Sequence, residues 1–243
     1  MDEMLNQLAA NASAAGGFDW TYILVALGAL LSMWASNKVK SAYSEFAGVR
    51  ASCGLSGADV ARKILSRNAI SDVSVNHVAG ELTDHYDPSR RVVNLSDAVY
   101  DSTSLAAIGV AAHECGHVLQ HYTGYAPLKI RTALVPAANI GSKLGIPIIL
   151  ASLALGLSPI FAQVGVWLFS LGILFQIVTL PVEFDASRRA LIMLEEYGIL
   201  QRGEVAGSKK VLSAAAMTYV AAAVSAVAQL IRLIIIAKSQ SRR

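Results

Sequence analysis

The chain has 243 residues, 54% of them hydrophobic and only 15% charged, with a formal net charge of +3. Soluble globular domains carry nearer 25% charged residues, so this composition and its positive mean hydropathy exclude an ordinary soluble domain and indicate a mainly α, multi-pass membrane protein. Basic residues fall at the edges of apolar blocks (Lys38, Lys40, Lys129, Arg131, Lys209, Lys210) without interleaved aromatics, which suits membrane lipid and argues against nucleic acid as a partner.

Residues 20–36 form 17 uncharged positions with Trp20 and Trp34 near the ends, enough for a first transmembrane helix. Asp2, Glu3 and Asp19 precede it and Lys38, Lys40 and Arg50 come after it, which places the N-terminus outside and the chain beyond the helix in the cytoplasm. With no basic stretch before the apolar run, it is expected to stay as an anchor. Cys53 and Cys115 are the two cysteines. Neither belongs to a CxxC pair, and both read as small buried residues.

Ser56 is a cap for a short amphipathic helix carrying Val60, Ile64 and Leu65. Two extended runs around Asp87-Pro88-Ser89 predict a β-hairpin, because Pro presets the turn and Asp caps it. Ser102 or Ser104 then opens a helix that Gly124 stops. Leu144 to Val182 is uncharged for 39 residues with Ser158-Pro159 near its middle, which predicts a transmembrane hairpin entered after Lys143. A separate soluble helix is expected from Pro181 to Tyr197, ended by Gly198. The apolar block 211–237, interrupted by Arg232, reads either as a fourth span or as a helix packed between domain and bilayer. The resulting segments are 1–37 (N-terminal segment and first span), 38–131 (cytoplasmic part of the main domain), 132–182 (hairpin), 183–210 (the helix that follows it) and 211–243 (apolar helix and basic tail).

The helix ended by Gly124 contains "HECGH". His113 and His117, at i and i+4, share one face about a turn apart and can take adjacent corners of a tetrahedral zinc. Glu114 is rotated away from that pair, close enough to meet a water at the metal as a general base. With five histidines in the chain, HExxH is expected by chance only about 0.003 times. Catalytic zinc usually has three protein ligands. His121 has drifted around the helix and suits a supporting role better than ligation. Glu183 is the better third ligand, because the hairpin returns it to the face where His117 should lie. Ser187 comes one turn later, and Ala186 and Ala190 permit close packing on the zinc helix.

These residues carry a resemblance. "AAHECGHVLQH" followed by "LPVEFDASRRAL", with "LTDHYDPSRRVVNLS" upstream, resembles the YugP-type neutral zinc metallopeptidases of bacterial membranes, from about Leu55 to Ala237. More distantly it resembles the gluzincins that include HtpX-like and CAAX prenyl endopeptidases. The resemblance implies a gluzincin-like domain with one Zn2+ held by His113, His117 and Glu183, with Glu114 as catalytic base, in a bacterial inner membrane. The distant pattern has Asp four residues after Glu; here Ser187 stands there, so a ligand histidine must be oriented by another group.

Proteases of this plan bind peptide along a sheet edge, which would bring His85, Tyr86 and Arg90 or Arg91 near the cleft; a solvated hairpin is the alternative. Tyr219 and Arg232 are candidates for stabilising the oxyanion, against packing and snorkelling roles. The expectation is a membrane-embedded zinc endopeptidase acting on protein or peptide substrates, some of them membrane-associated. The alternative is a zinc-binding membrane scaffold or regulator without proteolytic turnover.

Overall fold

The computed structural model describes residues 21–240, with side chains through Lys238. Among these residues it contains six helices and one small sheet: α1 (Tyr22–Ala47), α2 (Gly57–Arg67), β1 (Ser74–Val78), β2 (His85–Asp87), β3 (Val92–Ser96), α3 (Leu105–Tyr122), α4 (Ala126–Ala154), α5 (Pro159–Glu196) and α6 (Arg202–Gln240). Four of them, α1, α4, α5 and α6, are long and apolar enough to cross a membrane, so the block 211–237 belongs to a candidate span. The acidic flank at Asp2, Glu3 and Asp19, the aromatic Trp20 and the basic tail at Arg242 and Arg243 lie outside the described residues.

The chain divides into two compact units. Among the described residues the first draws on 21–34, Ile130–Thr179 and 219–240, the second on Ala35–Lys129 and Leu180–Thr218.

In the first unit, α4 and α5 meet through glycines. A Cβ at Gly141 would stand 2.1 Å from the Leu168 carbonyl oxygen, and one at Gly145 would stand 2.9 Å from Phe169. This is the small-xxx-small device by which apolar helices approach when lipid removes the hydrophobic drive between them. The Ser32 and Ser225 hydroxyls both donate to the Gly28 carbonyl, at 2.9 and 2.8 Å. That joins α1 to α6 with polar groups satisfied inside the unit. Outward side chains such as Trp167, Ile160 and Leu155 are exposed, as a lipid-facing surface requires.

Two boundaries differ from the sequence expectation. The helix expected to start at Pro181 is instead continuous with the preceding one, since α5 runs through Pro181 as an interior residue. Proline removes a single donor, and neighbouring helices and side chains readily satisfy the freed backbone groups in apolar helices. The hairpin's first helix likewise starts at Ala126 rather than after Lys143 and carries Pro136 and Pro147, with Lys143 exposed on its surface. The turn expected at Ser158-Pro159 is present: Gly156, at φ +60°, precedes it and Pro159 opens α5.

In the second unit, α2 begins in a capping box. Ser56 Oγ accepts from the Asp59 N–H, and the Asp59 carboxylate accepts from the Ser56 N–H. Ile64 and Leu65 then face the core together with Val93, Leu95, Ile108, Val118 and Leu194. Antiparallel β2 and β3 form the expected hairpin, with Asp87 Oδ1 accepting from the N–H groups of Ser89 and Arg90 at 2.8 and 3.1 Å. A third strand, β1, pairs parallel with β3 and gives the order β1-β3-β2. Sequence reading missed β1, because five residues with mixed exposure show little alternation.

Candidate metal centre

α3 is nucleated by Ser104, whose Oγ accepts from the Ala107 N–H at 3.2 Å, and ends before Gly124 at φ +65°. Its small residues let other elements in. Ser208 packs on Gly109 and donates to the Leu105 carbonyl at 2.7 Å. The closest approach is at Gly116, inside the HECGH stretch, where a Cβ would stand 2.5 Å from the Ala186 carbonyl oxygen of α5. Only glycine permits this backbone contact, and it brings Glu183 against the two histidines.

Glu183 Oε2 lies 3.3 Å from His113 Nε2 and 3.6 Å from His117 Nε2, and ligand atoms of all three residues fall within 4.8 Å of one another. Ligands about 2.0–2.1 Å from a tetrahedral zinc are about 3.3–3.4 Å apart, so the spacing and the donor types both fit that ion. Glu183 is buried. The imidazole rings of His113 and His117 stand edge to face, 4.7 Å apart at 83°.

Burial opposes a positive charge on His117. The negative charges of Glu183, whose Oε2 stands 3.6 Å from Nε2, and of Glu114 outweigh it, so the imidazole binds its proton more tightly than usual. The same negative field favours a metal cation. Glu114, one residue after His113, is also buried. The Cys115 thiol is fully buried and its pKa pushed up by desolvation, as expected of a packing residue; Cys53 is only half-buried.

Around this group the other singled-out residues divide. Ser187 Oγ is 3.1 Å from His113 Nδ1. His121 Nδ1 hydrogen-bonds the Tyr86 hydroxyl at 2.8 Å, joining α3 to edge strand β2, and burial pushes the Tyr86 hydroxyl up to about 12. His85 is held within the hairpin by the Thr83 carbonyl and Asn94. Arg91 is committed to Asp72, which also accepts from Tyr122, whereas Arg90 is exposed. Tyr219 and Arg232 belong to the first unit, where the Arg232 guanidinium lies 4.1 Å over the Tyr22 ring.

Sequence reading passed over a buried amide beside the histidines. Gln120, fully buried, lies 3.0 Å from His117 Nδ1 through Oε1, and its Nε2 donates to the Val182 carbonyl at 2.7 Å and to Asp185 Oδ2 at 3.1 Å. Its signal was the i+3 spacing from His117, which puts an amide on the histidine's face of the helix.

A family model described as "putative neutral zinc metallopeptidase" matches residues 21–238. The chain is 46% identical over 216 residues, 88% of its length and 96% of the relative's, to a Bacillus subtilis (strain 168) protein named "putative membrane protease YugP". No solved structure gives a significant match. With nearly the whole chain matched and the His113, His117 and Glu183 group in place, the protein belongs to this zinc metallopeptidase family.

Proposed function

We propose that the chain is a membrane-embedded endopeptidase of the bacterial inner membrane that hydrolyses peptide bonds of protein or peptide substrates at the cytoplasmic face. The observation that carries this reading is the triangle of donors made by His113, His117 and Glu183 at zinc-ligand spacing, with the charge of Glu114 near enough to act on His117. These three residues would hold one zinc ion, which when bound supplies Lewis-acid polarisation of the scissile carbonyl and acidifies water.

Glu114 does the proton work. Its carboxylate takes a proton as water oxygen bonds to the carbonyl carbon, and gives it to the leaving nitrogen as the C–N bond breaks. Of the two edge strands, β1 and β2, which among the described residues each pair with β3 alone, β2 is the one bonded to α3 and offers the place for substrate. An extended peptide added to its open edge is held by main-chain hydrogen bonds, with the bond between Tyr86 and His121 tying that edge to α3.

The test is hydrolysis of a quenched peptide or casein-like substrate by detergent-purified protein. Glu114→Gln is expected to abolish turnover while keeping stoichiometric zinc, and a chelator to abolish turnover in the parent. A Glu114→Gln protein that still cleaves removes Glu114 from its role. Zinc bound at one per chain with no cleavage of any substrate tried would favour a scaffold or regulator.

A further inference from the structure

We propose that Gln120 is a positioning residue that fixes the ring orientation and tautomer of His117, so that Nε2 faces the metal with its lone pair; this rests on the zinc reading above. The Gln120 side chain carries one acceptor oxygen and one NH2. Its Nε2 faces two groups that can only accept, the Val182 carbonyl at 2.7 Å and Asp185 Oδ2 at 3.1 Å. Asp185 is itself a carboxylate gripped by Arg188 and Arg189, each at 2.6 Å.

Turning the amide over would set its oxygen against two other oxygens, so the surroundings dictate the assignment. Oε1 must then face His117 Nδ1, at 3.0 Å, and it can only accept. The proton therefore sits on Nδ1, and Nε2, which faces Glu183, is left as the metal-facing atom. His113 is held differently. Its Nδ1 meets the Ser187 hydroxyl, which can donate or accept and so leaves the tautomer open. Of the two histidines, His117 is the one whose state is imposed from outside.

Burial supports the assignment. A fully buried amide is costly unless its groups are bonded, and here the oxygen and the nitrogen both are. The polar path also crosses between elements, from α3 through Gln120 to Val182 and Asp185 on α5, the helix that supplies Glu183. One amide thus sets a ligand on α3 relative to the segment bearing the third ligand.

The experiment measures zinc affinity of the detergent-purified full chain by chelator competition, and the visible spectrum of the cobalt-substituted protein. Gln120→Leu, which fills the space without an acceptor, is expected to weaken zinc about 10- to 100-fold and alter the cobalt spectrum. Gln120→Glu restores an acceptor toward Nδ1 while removing the donors to Val182 and Asp185, and is expected to stay within about threefold of the parent.

A purely structural role predicts the reverse order, because the glutamate faces Asp185 and the leucine does not. A Gln120→Leu protein with parental affinity and spectrum overturns the inference, as does a Gln120→Glu protein weakened as much as the leucine variant. Should Gln120→Leu not fold, judged by melting with chelator present, Gln120→Met takes its place with the same expectation. The zinc reading is checked separately in the parent and in His113→Ala. Zinc held by the parent and lost in His113→Ala, with Gln120→Leu unaffected, sinks the Gln120 inference alone; a parent that takes up no zinc sinks both.

Discussion

Two helix crossings use the same device to different ends. In the first unit, Gly141 lets α4 approach the Leu168 carbonyl of α5; in the second, Gly116 lets α3 approach the Ala186 carbonyl of the same helix. Both contacts are backbone to backbone. At the first, the neighbours are Leu168 and Leu171, so closeness provides packing alone. At the second, His113, Gln120 and Glu183 stand one turn from the contact and His117 and Ser187 directly follow it in sequence, so the same closeness assembles donor atoms. A glycine contact becomes a candidate metal site only where the flanking positions supply ligand atoms, as His113, His117 and Glu183 do; Asn139, Ser142 and Lys143 beside Gly141 do not form such a group.

The largest expected effect separates the two crossings. Gly116→Val should abolish zinc binding and lower the melting temperature, since its Cβ has no room beside the Ala186 carbonyl, whereas Gly141→Val, whose Cβ meets the Leu168 carbonyl closer still, should lower the melting temperature with one zinc per chain retained. Metal analysis alongside a thermal melt in detergent checks both; zinc retained in Gly116→Val would detach the crossing from the site. Next, Glu183→Ala should lose stoichiometric zinc while the chelator-treated protein melts near its parent, because the crossing survives when the donor is removed. Unchanged zinc content would point to another third ligand.

The smallest effect is expected at the start of α2. Ser56→Ala should cost about 1 kcal/mol by removing the cap of α2, with zinc unaffected. Hydrogen bonds from the Ser56 hydroxyl and backbone N–H hold the Asp59 carboxyl below its usual value. A depressed native value means that this stabilisation is present above the unfolded carboxylate's pKa near 4 and is lost as pH falls through the lower folded value. The parent should therefore lose more stability on acidification than Ser56→Ala does, as denaturant melts at pH 7 and pH 3 would show.

What the sequence made legible was the local chemistry. Ser56 announced its cap and Ser102 or Ser104 the other, which the structure assigns to Ser104; Asp87-Pro88-Ser89 announced its turn, and the i, i+4 histidines a shared face on a helix bounded by Gly124. The return of Glu183 toward the histidines could be read from the length of the uncharged stretch before it. Less legible was whatever depended on a partner distant in sequence. Gln120 looked like one more polar residue until Asp185, 65 positions away, came to face it. Asp185 stands two residues after Glu183 and so lies on a different face of α5, and that face is the one that meets Gln120. β1 depends on β3 for its existence as a strand, and helix continuity through Pro181 depends on neighbours that compensate a missing donor.

The cysteines have a practical consequence. Cys115 sits within the HECGH stretch, yet its thiol is buried and held protonated, so alkylating reagents and mild oxidants should pass it by. Cys53 is the one remaining cysteine in the chain and is partly exposed, close to Arg50, on the segment after α1. The natural protein therefore carries a single-site chemical handle. A membrane-impermeant maleimide applied to intact cells and then to permeabilised ones would report which side of the bilayer Cys53 occupies, without substitution or fusion.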